Sequence, residues 1–359
     1  MNAPIGQWGR RLSDALREAL GAGDLAAARA LVTQGDGQAR NLASEYAFMV
    51  RGLGITVRVL MDLLAETADR LAPEKSDAAR DDAVGLVRRF AYDIARLPAG
   101  APSQRASQPP PSGDRPEAPS RQGGGLAEAI AGARAALDEC SAWFEQAQGG
   151  IADDIVRAID AGDRVGAAAL VDTKELGQYL PLHDRLIRFM AESFAWALRH
   201  GGSDGLLRFQ LGAAQGQRQG FEKWERMPAA QFAWTSAFLL KQHMGRVSVR
   251  EDEARFTIEQ SPCGSGGRLR LLGAYEGPDA LPFVETPGPL TFGQPRLPVY
   301  CSHCPIWNAS ATLRWFGRAH WVFERPARAD GGCTLHVYKR REDTPEDFVR
   351  QVSLEARER

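Results

Sequence analysis

Apolar residues recur at spacings of three and four along the first hundred positions. Leu12, Leu16 and Leu20 lead into Leu25, Ala28 and Leu31, the period of a helix with one buried face. A longer series runs through Leu42, Tyr46, Met49, Val50, Leu53, Val57, Leu60 and Leu64, and a third covers Ala83, Val87, Phe90, Ile94 and Leu97. The pattern stops from Pro98 to Gly125, where Pro109-Pro110-Pro111 and Gly123-Gly124-Gly125 stand among Ser and Gln. So few large apolar side chains cannot offset the entropy of ordering the segment, so 98–125 reads as a flexible linker.

Helical periodicity resumes after it, and reads as a repeat. Leu16-Arg17-Glu18-Ala19-Leu20-Gly21-Ala22-Gly23-Asp24 aligns with Ile155-Val156-Arg157-Ala158-Ile159-Asp160-Ala161-Gly162-Asp163. At the same offset Ala30-Leu31-Val32 meets Ala169-Leu170-Val171. In both copies Ala-Gly-Asp supplies a helix end, a glycine free to turn left-handed, and an Asp to cap the next helix. Each copy then enters a longer helix, near Ser44-Glu45 and near His183-Asp184. Two more helices are expected over 206–219 and 231–244.

From Arg246 the period becomes two. Arg246 to Arg250 and Arg255 to Glu259 form an expected hairpin. Strands follow at 268–275, 297–300, 320–324 and 334–339, with 276–298 a long loop and a short helix starting at Pro345. The expected fold is α+β: a helical repeat over 1–97, the linker 98–125, a second helical repeat with connecting helices over 126–245, and a cysteine-bearing antiparallel sheet over 246–359.

Composition narrows the class. The 359 residues are 44% hydrophobic and 25% charged, as in a soluble globular protein too long for one ordinary core. The formal net charge is −1, with arginines scattered along the helices, which excludes the basic stripe of a nucleic-acid protein. No run approaches the ~18 to 20 apolar residues of a membrane span. The first residues also lack a basic stretch followed by an apolar core, so a cytoplasmic protein with reduced thiols is expected. The expected partner is a small molecule, and a homo-oligomer is compatible with all of this.

Four of the five cysteines carry the chemistry. Cys263 lies in Pro262-Cys263-Gly264-Ser265-Gly266-Gly267, Cys301 and Cys304 in Cys301-Ser302-His303-Cys304-Pro305, and Cys333 after Gly331-Gly332. A Cys-x-x-Cys pair lets two thiolates grip one ion, and two remote cysteines can complete a tetrahedron, or His303 can replace one of them. Zinc is the expected metal, with iron or an iron–sulfur cluster as the alternative. His183 and Asp184 are candidate general base and orienter, although neighbours on a helix point apart and are not expected to bond each other. Ser265 and Arg268 are candidate substrate contacts: the glycines free backbone N–H groups and Arg268 suits an anion. No helix is expected after this loop, so it lacks the arrangement of a phosphate-binding loop. His320 and His336 are read as packing residues, and His243 as a complement to a helix C-terminus.

The layout of helices leading into a cysteine-bearing sheet resembles bacterial 4-vinyl reductase-type ligand domains and the thiazoline-carboxylate hydrolases. The resemblance carries no motif from residue to residue and implies no activity. The functional expectation is a metal-binding hydrolase or lyase acting on a small polar or anionic molecule. The alternatives are a ligand- or partner-binding regulator with a structural four-cysteine zinc site, or an iron–sulfur or redox sensor.

Overall fold

A computed structural model describes residues 4–98 and 125–354. The expected linker, apart from its two end residues, lies outside them. The fold is α+β, mostly helical with a small antiparallel sheet near the C-terminus.

Helices α1 (Leu12–Ala22) and α2 (Leu25–Gln34) open the chain, followed by α3 (Ala47–Arg70) and α4 (Pro73–Ala95). Then come α5 (Leu126–Asp160), α6 (Arg164–Asp172), α7 (Leu180–Gly216), α8 (Arg218–Glu225) and α9 (Ala229–Gln242). The two Ala-Gly-Asp elements adopt one geometry. Gly23 and Gly162 both have φ of 76°, and Asp24 and Asp163 accept from the N–H groups of Ala27 and Gly166 at 2.9 and 2.8 Å. Each therefore ends one helix and caps the next.

The two helix pairs also pack on each other reciprocally. α1 lies on α6 and α2 on α5, so the first helix of each pair meets the second helix of the other. Leu12, Leu16, Leu20 and Val32 share a core there with Ile155, Ile159 and Val171. The larger core joins α3, α4, α5 and α7 through Leu60, Leu64, Val87, Phe144, Phe189, Phe194 and Trp196. α7 is continuous with α6 through a π-helical segment, Thr173–Tyr179, and kinks at Gly202, where φ is 63°. Among the described residues no helix is long and apolar enough to cross a membrane.

The hairpin is β1 (Val247–Glu251) with β2 (Arg255–Gln260), in register Val249↔Ile258. After it comes α10 (Gly266–Leu271), then a short ladder of β3 (Phe283–Val284) with β4 (Leu297–Pro298). β5 (Val322–Arg325) and β6 (Cys333–Tyr338) complete the main sheet, in the order β1-β2-β6-β5. Phe256, Ile258, Leu335 and Val337 face Phe232, Ala237 and Leu240 on α9.

One expected strand is not there, and that expected at 297–300 is cut to its first two residues. Residues 268–275 begin as α10, because Arg-Leu-Arg-Leu alternates yet also suits a turn and a half of helix; Leu269 is buried while Leu271 is exposed. The stretch after Pro298 is helical as well, passing through 3-10, α and π geometry from Val299 to Phe316. The expected strand at 320–324 starts only at Val322.

Candidate functional site

Four segments converge beside the sheet: the start of α7, the turn after α9, the loop into α10, and the helical stretch from Val299. Their approach is close enough to demand glycine. A Cβ on Gly264 would overlap the His243 carbonyl and the Gly245 nitrogen. A Cβ on Gly245 would sit 2.8 Å from the Pro262 oxygen. Between them Met244 holds φ of 65°, a left-handed conformation that costs a residue with a side chain about 1 kcal/mol or more. This turn fixes where His243 points.

His243 meets the expected His183–Asp184 pair. His183 Nε2 lies 2.8 Å from His243 Nδ1, and His183 Nδ1 lies 3.0 Å from Asp184 Oδ1. The neighbours on α7 thus do bond each other, against the expectation from helix geometry, because the imidazole reaches back to the carboxylate. Arg268 completes the row: its Nε is 3.1 Å from both Asp184 oxygens, and its Nη2 is 3.1 Å from Oδ2.

The row has a polarity. A carboxylate only accepts, so His183 Nδ1 carries the hydrogen and Nε2 the lone pair. His243 Nδ1 must then donate, which leaves His243 Nε2 as a bare acceptor. His183 is fully buried, whereas the side chains of Asp184 and Arg268 keep 18% and 24% of their exposure; His243 is half-buried. Burial, with His183 and His303 adding to it, holds the His243 pKa well below the usual histidine value. Its ring is neutral at pH 7.

The thiols border the same loop: a Cβ on Gly266 would sit 2.8 Å from Cys301 Sγ. Cys301 is buried and its Sγ accepts from Arg270 Nη1 at 3.3 Å. Cys263 Sγ is 3.5 Å from Ser265 Oγ, and Cys304 Sγ is 3.5 Å from His303 Nε2. Cys333 is buried at the start of β6 opposite Gln260. Burial pushes the Cys301 thiol up to about 11 and raises Cys304 and Cys333 as well, with neighbouring cysteines pushing all three in the same direction.

This corrects the metal reading. Among the described residues no group of three or more His, Cys, Asp or Glu side chains is arranged to hold a metal ion. The expected set of Cys263, Cys301, Cys304 and Cys333, with His303 as substitute, is therefore not a metal site, and the zinc and iron functions built on it fall with it. Physical reasons are visible. Cys301 and Cys304 lie on a helical run, not in a knuckle-like turn. A guanidinium already occupies Cys301 Sγ, where it opposes a second cation, and His303 Nδ1 is committed to the Tyr300 carbonyl at 2.6 Å.

The remaining expected residues divide. His183, Asp184 and Arg268 come together, but Arg268 turns its Nε and Nη2 to Asp184. Ser265 is buried, with its hydroxyl on Tyr300 and near Cys263, so it faces the interior. A helix does follow the glycine-rich loop, contrary to expectation, although it has only six residues. His320 and His336 sit apart, against Glu225 and Glu324. His243, expected only to complement a helix C-terminus, also joins the row of His183 and Asp184. The helix dipole explained it adequately alone, and nothing in the chain links it to a position sixty residues earlier.

No protein-family model, characterised protein or solved structure matches the chain.

Proposed function

We propose that the chain is an enzyme whose chemistry is proton transfer on a small molecule, with His243 Nε2 as the base. The observation that carries this reading is the one-way hydrogen-bond polarity from Asp184 through His183 to His243. When His243 takes a proton, positive charge develops next to His183, and the Asp184 carboxylate two bonds away stabilises it. Arg268 pairs with that carboxylate and aims it. An orienting acid behind a histidine base is the arrangement general-base catalysis needs, and such a base supplies roughly 10²- to 10⁴-fold in rate. The neutral resting state of His243 leaves it ready to accept.

The ring hydrogens are the direct test. In protein labelled with ¹⁵N-histidine, long-range proton–nitrogen correlation at pH 7 should show hydrogen on Nδ1 of both His183 and His243, and bare Nε2 on both. Hydrogen on His243 Nε2 would overturn the proposal. Asp184→Ala should scramble the His183 tautomer and, through it, that of His243.

A further inference from the structure

We infer that Cys304 is a nucleophile that takes an acyl group from a small uncharged carboxylic ester, with His303 as its base. His303 Nδ1 is 2.6 Å from the Tyr300 carbonyl oxygen. A carbonyl only accepts, so Nδ1 carries the ring hydrogen and Nε2 holds a lone pair. That lone pair faces Cys304 Sγ at 3.5 Å, within hydrogen-bond reach for sulfur, so the S–H points at the base. A nucleophile, a base, and a third group that fixes the base's tautomer are the parts of an activated thiol.

The surroundings hold this dyad in place. The His303 ring is caged by Tyr300, Trp307 and Phe194, with centroids at 4.7, 5.0 and 6.2 Å. These rings favour an uncharged, apolar acyl group. Cys304 keeps some exposure, whereas Cys301 and Cys333 are buried. Burial keeps both partners neutral, raising the thiol and lowering His303 to about 4. The proton therefore leaves sulfur only as the new bond forms.

In the first half-reaction Cys304 Sγ attacks the ester carbonyl carbon while its proton passes to His303 Nε2. The C–S bond forms, the C–O bond to the alcohol breaks, and the departing oxygen takes the proton back from His303. The second half rests on the proton-transfer reading above. His243 Nε2 takes a proton from water, the oxygen adds to the thioester carbon, the C–S bond breaks, and the proton returns to sulfur. His303 is close enough to His243 to oppose positive charge on it.

p-Nitrophenyl acetate is the probe. The full-length protein should release a burst of p-nitrophenolate equal to one per chain, and acid-quenched peptide mapping should find the acetyl group on Cys304. His303→Gln should slow the burst at least ~100-fold, and Cys304→Ser should remove the thioester. Cys140→Ala, on α5 away from the site, should leave the burst intact. Absence of a burst, or acetyl on another residue of the unmutated protein, overturns the inference whatever the variants do. His243→Gln separates the two readings. If acetyl-Cys304 accumulates and turnover falls, both hold. If Cys304 is acetylated and turnover is unchanged, the role of His243 fails and that of Cys304 stands.

Discussion

Gly264 and His243 touch backbone to backbone, and the contact has no room for even a methyl group. The glycine-rich loop is therefore tied to the turn that presents His243. Gly264→Ala should force the two segments apart, costing about 1 to 3 kcal/mol as overpacking does. The loss should appear as a lower denaturant midpoint at unchanged slope. The same change should move the His243 ring signals in an NMR spectrum. A variant as stable as the parent, with His243 undisturbed, would show that the loops are independent.

The paired caps make a second test possible. Asp24 and Asp163 hold the same bond to the third residue beyond them, after glycines with the same φ. Replacing either with Ala should cost about 1 kcal/mol. Because their settings match, the two losses should agree within a few tenths of a kcal/mol, and should add in the double variant as separate sites do. Strongly unequal losses would mean that the shared geometry hides different energetics.

These caps also show what was legible in the chain. Leu-spaced helices and the Ala-Gly-Asp elements announce themselves because local chemistry decides them: a period, a left-handed glycine, a side-chain acceptor. The hairpin is legible for the same reason. Arg268-Leu269-Arg270-Leu271 is not, since four alternating residues suit a strand or a short helix equally well and tertiary packing arbitrates. The cysteines misled for a related reason. Their spacing fits a metal knuckle, but the helical run from Val299 and the Arg270 guanidinium on Cys301 are decided by remote contacts. His243 illustrates the same limit, as its meeting with His183 depends on how α9 crosses α7.

A buried ion pair gives a third prediction. Lys174 lies fully buried in the π-helical segment, its Nζ 3.1 Å from Glu45 Oε2 and 4.3 Å from the Tyr46 ring centre. Glu45 also accepts from the N–H and hydroxyl of Ser13. Next to it Glu175 meets Arg17 at 2.7 Å and the Tyr46 hydroxyl. Charges from α1, the turn before α3 and the π segment thus settle one another, with both carboxylates buried. Lys174→Met should cost roughly 3 to 5 kcal/mol, because it strands a buried carboxylate. Adding Glu45→Gln should recover part of that loss, giving a coupling of about 1 to 3 kcal/mol in a double-mutant cycle. Simple additivity would show that the pair is not energetically linked.

Stability should fall in mild acid, and histidines should be a main cause. Burial lowers His320 from 6.5 to about 4, outweighing the opposing pull of Glu225 at 2.9 Å. Burial lowers His303 to about 4 too, and it shifts His243 and His336 in the same direction. Between pH 6.5 and 4 the unfolded chain binds protons at His320 and His303 more fully than the folded chain does. Stability therefore rises with pH across this window and is lost as pH falls through it. The loss is complete only below the folded pKa, where both states are protonated. A shift from 6.5 to about 4 corresponds to about 3 kcal/mol for one fully realised site, a large part of the ~5 to 15 kcal/mol that holds a typical domain together. Denaturant midpoints at pH 7, 5.5 and 4.5 should decline steadily. His320→Gln cannot titrate, so it should start lower at pH 7, where its contact with Glu225 is weakened, yet lose less between pH 7 and 4.5 than the parent. If the variant loses as much as the parent over that interval, the acid sensitivity lies elsewhere, and His320 is not held neutral by the fold.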